Sequence, residues 1–385
     1  MRLFEYEAKE IFSRNGIPVP RSGYAETKEE VVEAAKRMNG PVVLKPQTIT
    51  KARGKAGLVL FANNPLEAAE CFARLQGRTH NGEKVRGVLV EEKISVLAEF
   101  FLAVTVDYTN AVPVLLSSPW GGVEVEVSAS KRPETIKQIS LSSLQSHLER
   151  HASELGSFLS KYISEVEPDV LKEQLQFLLG KMFHVFKSYD CELVEINPLG
   201  LRHDGTLVAL DGLMVIDDEA RFRHPELVKP RAQSEEEFSR EEEFRKRGWT
   251  YIPMEGEIGI LSSGAGITMA ILDLIHFGGG RPANFLDTAQ MDRKGIYDAF
   301  KIFHNNPNTK VLLVNIFAGL NRCDELSLGI TDYLRDFNPP FPIVVRMIGN
   351  RDNEGRTILQ QAGIKPLESL EEAVTRAIEE ARCVS

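Results

Sequence analysis

The last third of this chain sets the tightest limit on its fold. Residues 258–261 (Ile-Gly-Ile-Leu), 311–317 (Val-Leu-Leu-Val-Asn-Ile-Phe) and 342–348 (Pro-Ile-Val-Val-Arg-Met-Ile) are almost uninterrupted apolar runs. Each ends in a glycine turn, at Ser262-Ser-Gly-Ala-Gly266, Ala318-Gly319 and Gly349-Asn350, and each turn opens into a helical pattern. A strand that is apolar on both faces has to be covered on both faces. Parallel strands joined by helical crossovers achieve this, so an α/β, doubly wound parallel sheet is expected here. Ligands of such sheets sit at the carboxyl ends of the strands, beside helix N-termini with free N–H groups. Residues 262–266, 318–322 and 349–350 would then share one edge. Their glycines also suit tight strand-to-helix packing, and both readings stand on these residues alone.

The preceding sequence is of another kind. Residues 1 to about 230 mix helical stretches with short apolar runs at 42–44, 58–61, 88–90, 101–104 and 112–116, without a repeating unit. That mixture reads as α+β. Phe4, Ala8, Ile11 and Phe12 mark one face of an N-terminal helix that Asn15-Gly16 would end. Asp107-Tyr-Thr-Asn110 would turn two runs into an antiparallel hairpin, and residues 141–189 read as helical. Residues 231–248 are densely charged, as a solvated linker at a domain boundary would be. A chain of 385 residues is too long for one average core. The expected division is a domain over 1–235, a charged linker over 236–250 and a second domain over 251–385.

Chemistry concentrates just before that boundary. Glu192–Ile196 and Leu207–Leu210 read as strands around the hairpin signal His203-Asp204-Gly205. Folding them about Asp204 brings Asn197 opposite Asp211. A carboxylate and an amide oxygen then converge where a hard cation could sit. Mg²⁺ favours such a site, with few protein oxygens and with waters or nucleotide phosphates completing its shell. An ordinary polar hairpin would use the same residues. Upstream, Lys45 ends a short strand and Lys51-Ala-Arg-Gly-Lys-Ala-Gly57 follows. The cations and glycines there suit phosphate binding or a solvated basic loop, and the spacing is not that of a Walker loop. Glu91 and Glu99 flank the next strands, where carboxylates could reach ribose hydroxyls or help hold a metal.

The net charge of −9 argues against general binding to nucleic acid or to an anionic membrane. No apolar run reaches the length of a membrane span, and residues 1–7 lack a signal peptide's apolar core. Cys71, Cys191, Cys323 and Cys383 are far apart, suggesting neither a disulfide framework nor a zinc site. A reducing cytoplasm is expected.

Several segments together resemble the β subunit of succinyl-CoA synthetase and its relatives. They are Leu3-Phe-Glu-Tyr-Glu-Ala-Lys9, Arg53-Gly-Lys-Ala-Gly57, Gly121-Gly-Val-Glu124, Glu195-Ile-Asn-Pro-Leu199, Pro282-Ala-Asn-Phe-Leu-Asp287 and Asn315-Ile-Phe-Ala-Gly319 with Arg322-Cys-Asp324. The resemblance implies an ATP-grasp domain followed by a flavodoxin-like CoA-ligase domain. It also implies a reaction in which an acid, CoA and a nucleoside triphosphate give acyl-CoA, nucleoside diphosphate and phosphate. In that family a partner α subunit carries the phosphorylated histidine and binds CoA. Carried over by position, Lys45, Ala52, Arg53 and Gly54 contact nucleotide phosphates, and Glu91, Ile94 and Glu99 line the rest of that site. Asn197 and Asp211 hold Mg²⁺, Glu195 steadies the partner's histidine, and Pro20 points to ATP/ADP rather than GTP/GDP. Ser263, Gly319, Leu320 and Asn321 fall on the acid side.

Departures from the family pattern concentrate on that acid side. Ser263 stands where an asparagine is usual, Thr288-Ala-Gln-Met-Asp292 replaces a glycine-rich stretch, and Asn321 stands where an apolar residue is usual. Buried polar groups discriminate strongly, because a wrong substrate leaves them unpaired. The expected acid is therefore small and polar, malate- or sulfoacetate-like, with succinate as the alternative. In the nucleotide loop, Ile49-Thr-Lys-Ala52 replaces the family's histidine and glycines.

Overall fold

The computed structural model describes residues 1–49, 56–80, 83–122, 125, 132–141, 144–163, 168–228, 244–304 and 309–383. The chain divides into two compact units, Met1–Ser234 and Glu235–Ser385.

The first unit opens with α1 (Glu5–Arg14), whose Ala8, Ile11 and Phe12 enter the core as the spacing predicts. A four-stranded antiparallel sheet follows, built from β1 (Ser22–Ala25), β2 (Val42–Pro46), β3 (Leu60–Ala62) and β6 (Val88–Glu92) in the order β1-β6-β2-β3. It packs with α2 (Lys28–Met38) and α3 (Pro65–Leu75) around Val31, Leu44, Phe72 and Val90. Both helices are capped as their sequences require: Thr27 accepts from the N–H of Glu30, and Asn64 from those of Leu66 and Glu67. A short hairpin, β4 (Thr79–His80) with β5 (Glu83–Lys84), precedes β6.

The second sheet of this unit holds β7 (Ala98–Asp107), β8 (Val112–Ser118), β9 (Lys137–Ser140), β10 (Cys191–Leu201), β11 (Leu207–Ala209) and β12 (Leu213–Ile216). Its order is β11-β10-β7-β8-β9, and β12 also pairs with β10. The helical stretch expected over 141–189 is two helices, α4 (Leu144–Leu159) and α5 (Pro168–Ser188), with a 3₁₀ turn at Ser160–Tyr162 between them. Pro168 opens α5, where its fixed φ and missing N–H are tolerated.

The second unit holds β13 (Thr250–Pro253), β14 (Ile258–Ser262), β15 (Asn284–Asp287), β16 (Val311–Ala318) and β17 (Ile343–Gly349) in the order β13-β15-β14-β16-β17. β14 to β17 are mutually parallel where they pair, and β13 is an antiparallel edge strand. That edge strand is an addition to the purely parallel sheet expected from the sequence. One face is covered by α6 (Ala265–Phe277) and α10 (Leu370–Cys383), the other by α7 (Arg293–His304), α8 (Cys323–Asp336) and α9 (Asp352–Gln361). Of the stretch expected as a linker, residues 236–243 lie outside the described residues, whereas Phe244 and Trp249 are buried in this unit's core.

Candidate active site

The hairpin at residues 191–216 carries the first half of the site. At its tip the Gly205 N–H donates to Arg202 O at 3.0 Å, and Gly205 has a φ of +83°, which glycine adopts without strain. β10 pairs Leu199 with Ala209 of β11 and Glu195 with Leu213 of β12. One continuous register joins these pairs, so Asn197 falls opposite Asp211. Against β7, the register of β10 shifts between Ile196 and Leu199, which takes Asn197 and Pro198 out of that ladder. The Asn197 side chain is then held on two sides. The Gly122 N–H donates to its Oδ1 at 2.5 Å, and its Nδ2 donates to Glu195 Oε1 at 3.4 Å. Asp211 Oδ1 accepts the N–H of Gly212 at 2.7 Å.

Gly121 explains how the loop after β8 comes so near. Its N–H donates to Glu99 O at 2.8 Å, and a Cβ on it would lie 2.5 Å from the carbonyl oxygen of Phe100. Only glycine fits that approach, and it brings Gly122 to both Asn197 and the Glu99 carboxylate.

Beside the hairpin lies a buried group of four charges. Lys45 Nζ donates to Glu5 Oε1 and to Glu91 Oε1, each at 3.0 Å, and also to the carbonyl oxygen of Leu210. Lys9 Nζ donates to Glu91 Oε2, lies 3.1 Å from Glu5 Oε1, and donates to the same Leu210 oxygen at 2.6 Å. Burial pulls the Lys45 ammonium down, but the carboxylates of Glu5, Glu91 and Asp211 outweigh it and hold its pKa above the ordinary lysine value. Lys45 therefore stays charged.

A cavity of about 1300 Å³ opens onto these groups. Lys45, Glu91, Ile94 and Glu99 line it, and so do Glu195, Asn197 and Asp211. Every sequence-derived residue of the nucleotide, metal and catalytic sets that lies among the described residues therefore borders one space. Ala52, Arg53 and Gly54 lie outside the described residues. The Glu91 carboxylate, while bordering the cavity, is also engaged by two ammonium groups. Among the described residues no group of three His, Cys, Asp or Glu side chains could hold a metal. A cation here would depend on Asp211 and the Asn197 oxygen with outside ligands, the donor set that Mg²⁺ accepts.

The sequence reading passed over Lys9 and Glu5 as functional residues. Their signal was present: a Glu–Lys pair four residues apart on the apolar side of α1, where Lys9 is only 2% exposed.

In the second unit, Ser263 follows β14 and Gly319–Asn321 follow β16, so the four residues expected on the acid side lie at the carboxyl edge of the parallel sheet. They are not equivalent. Leu320 and Asn321 border a shallow groove of about 700 Å³ with Met291, Asp292 and Arg293, whereas Ser263 and Gly319 do not. The Ser263 hydroxyl donates to Ala289 O at 2.8 Å, and the N–H and hydroxyl of Thr288 both donate to Ser262 O. The serine and the 288–292 segment are thus tied to each other. Asp324 lies in the first turn of α8, and Arg322 with Arg351 holds its carboxyl down at about 2. Beneath the edge, Arg346 Nη1 donates to Asn315 Oδ1 and Asn315 Nδ2 to Ser262 Oγ, each at 3.0 Å, bridging three adjacent strands.

Residues 2–201 match the ATP-grasp domain family, and residues 261–379 match the CoA-ligase family. The chain is 38% identical over 386 residues to the succinate–CoA ligase (ADP-forming) β subunit of Staphylothermus marinus, covering 100% of each. It is 40% identical over 385 residues to the protein of that name from Ignicoccus hospitalis, covering 99% of this chain and 100% of that one. The chain belongs to the β-subunit family of ADP-forming succinate–CoA ligases. Its fold, an ATP-grasp domain followed by a CoA-ligase domain, is that of the family. Among solved structures it is similar to ATP citrate lyase from Methanothrix soehngenii in complex with citrate and coenzyme A. That likeness has a TM-score of 0.77 at 20% identity over 98% of this chain and 99% of that one, and it speaks to fold alone. Among the described residues no helix is long and apolar enough to cross a membrane.

Proposed function

We propose that this chain is the nucleotide-binding β subunit of an ADP-forming acid–CoA ligase. With an α subunit that carries the phosphorylated histidine and the CoA site, it would convert a small polar acid, CoA and ATP to acyl-CoA, ADP and phosphate. The observation that carries this reading is the convergence of Lys45, Glu99, Glu195, Asn197 and Asp211 on one cavity.

In this scheme Lys45 and the 52–54 segment bind the nucleotide phosphates, with Ile94 and Glu99 along the rest of the nucleotide. Glu91 acts through Lys45, which it holds by a charged hydrogen bond. Asn197 and Asp211 would hold Mg²⁺, which when bound offsets phosphate charge. Glu195 receives the partner's histidine, and a carboxylate there orients the imidazole and favours its cationic form. Asn197 helps to aim that carboxylate through its Nδ2.

On the acid side, Ser263, Gly319, Leu320 and Asn321 face the acyl group, and the N–H groups at the start of α8 face the phosphorylated or acylated species. The relatives are named for succinate. The polar side chain of Asn321, bordering an open groove with Arg293, supports a hydroxylated or sulfonated acid instead, such as malate or sulfoacetate. Four free cysteines suit a reducing cytoplasm.

The test is ADP release by the chain co-purified with its α subunit, given CoA, Mg²⁺ and ATP, across succinate, malate and sulfoacetate. Turnover is expected to require the α subunit and to be fastest with a hydroxylated or sulfonated acid. Preference for succinate would remove the acid assignment, and turnover by this chain alone would remove the half-enzyme reading.

A further inference from the structure

We propose that Lys9 is a positioning residue for nucleotide binding. It holds the buried carboxylate of Glu91, so that Lys45 can turn its ammonium to a phosphate without leaving that carboxylate bare. The inference rests on the reading of Lys45 as a phosphate contact.

The two lysines share every acceptor. Lys45 reaches Glu5 Oε1, Glu91 and the Leu210 carbonyl, and Lys9 reaches the same three groups. Their surroundings differ. Lys45 borders the cavity, with its side chain 11% exposed, whereas Lys9 lies behind it at 2%. Lys9 is also fixed in place. It sits on α1, and α1 is anchored where the Leu3 N–H donates to Met214 O and the Tyr6 N–H to Gln47 Oε1, each at 3.0 Å. The front lysine can therefore reach a ligand and the rear one cannot.

Charge balance gives the arrangement its purpose. Two ammonium groups, of Lys9 and Lys45, face the buried carboxylates of Glu5 and Glu91. Removing the only partner of a buried carboxylate is strongly unfavourable, and that cost would oppose any ligand that draws the partner away. With Lys9 in place, Glu5, Glu91 and the Leu210 carbonyl each keep a cationic donor after Lys45 moves. Without Lys9, Lys45 is the only ammonium among the described residues bonded to Glu91, and a phosphate has to compete with that carboxylate.

The experiment measures binding of ADP with Mg²⁺ to the full chain by isothermal titration, with thermal melting to fix a temperature at which each variant is folded. Lys9→Met should raise the Kd about tenfold or more, and Lys9→Arg should recover most of the affinity. A purely structural role would lower the melting temperature and leave the affinity of the folded chain unchanged, which would overturn the proposal. Where Lys9→Met does not fold, Lys9→Met/Glu5→Gln carries the test. That pair removes one charge of each sign, yet still strips Glu91 of its last ammonium among the described residues when Lys45 moves. It should show the same loss, and wild-type affinity in it would overturn the proposal. Lys45→Met separates the two ideas. If it binds ADP as the wild type does, the phosphate reading of Lys45 fails. If it loses affinity while Lys9→Met does not, only the inference about Lys9 fails.

Discussion

In the N-terminal unit the polar groups around the cavity are paired with one another before any ligand arrives. Lys45 is held by two carboxylates, and the Asn197 oxygen by the Gly122 N–H. The carboxyl edge of the C-terminal unit's parallel sheet is built the other way. Leu320 is 81% exposed, a Cβ on Gly319 would meet nothing, and the ordered polar bridge of Ser262, Asn315 and Arg346 lies beneath the loops. The difference follows from what each would bind. Phosphates and a divalent cation demand concentrated charge, which is stable in a low-dielectric interior only when neutralised and hydrogen-bonded. A loop edge that offers backbone N–H groups costs little to leave in water.

The sharpest way to break this comparison is Asp211→Ala. Loss of its carboxylate should lower Mg²⁺-dependent phosphorylation of the α-subunit histidine by about a hundredfold or more, because it would weaken the hold on the cation that offsets phosphoryl charge. Labelled-phosphate transfer from ATP is the measurement, and unimpaired transfer would sink the metal assignment.

Gly121→Ala probes whether the first site is as tightly built as its geometry indicates. The added methyl would meet a backbone carbonyl at 2.5 Å, so the loop has to shift. Overpacking of this kind typically costs about 1–3 kcal/mol. Chemical denaturation should register that loss, and Mg²⁺ affinity should fall with it because Gly122 carries the N–H that orients Asn197. A variant with unchanged stability would mean the loop is slack.

Asn321→Ala should have the smallest energetic effect and the most specific one. At a half-buried loop position it should change stability by no more than about 0.5 kcal/mol. The relative rates with malate, sulfoacetate and succinate should nevertheless move by several-fold or more. An acid profile identical to that of the wild type would show that Asn321 plays no part in choosing the acid.

Much of this was legible without coordinates. Hairpin register is set by the turn and by side-chain alternation, so the opposition of Asn197 and Asp211 could be counted from Asp204. The second unit's sheet was readable because strands buried on both faces cannot hide their composition. The cluster around Lys9 was much less so. Apart from Glu5 on the same helix, its partners lie 82 and 201 residues away along the chain, and nothing local to α1 says that a buried lysine will also meet Glu91. The same holds for Glu91, which borders the cavity and whose carboxylate lies between two ammonium groups from distant segments.

What the amino-acid order determined by itself was therefore periodic and local: the parallel sheet, the hairpin and the residue types its turn aligns. What only the tertiary structure decided was which charges share one buried space and which of two lysines faces the cavity. Register and burial patterns repeat over a few residues, whereas charge pairing in a low dielectric depends on distances through space between segments far apart in sequence.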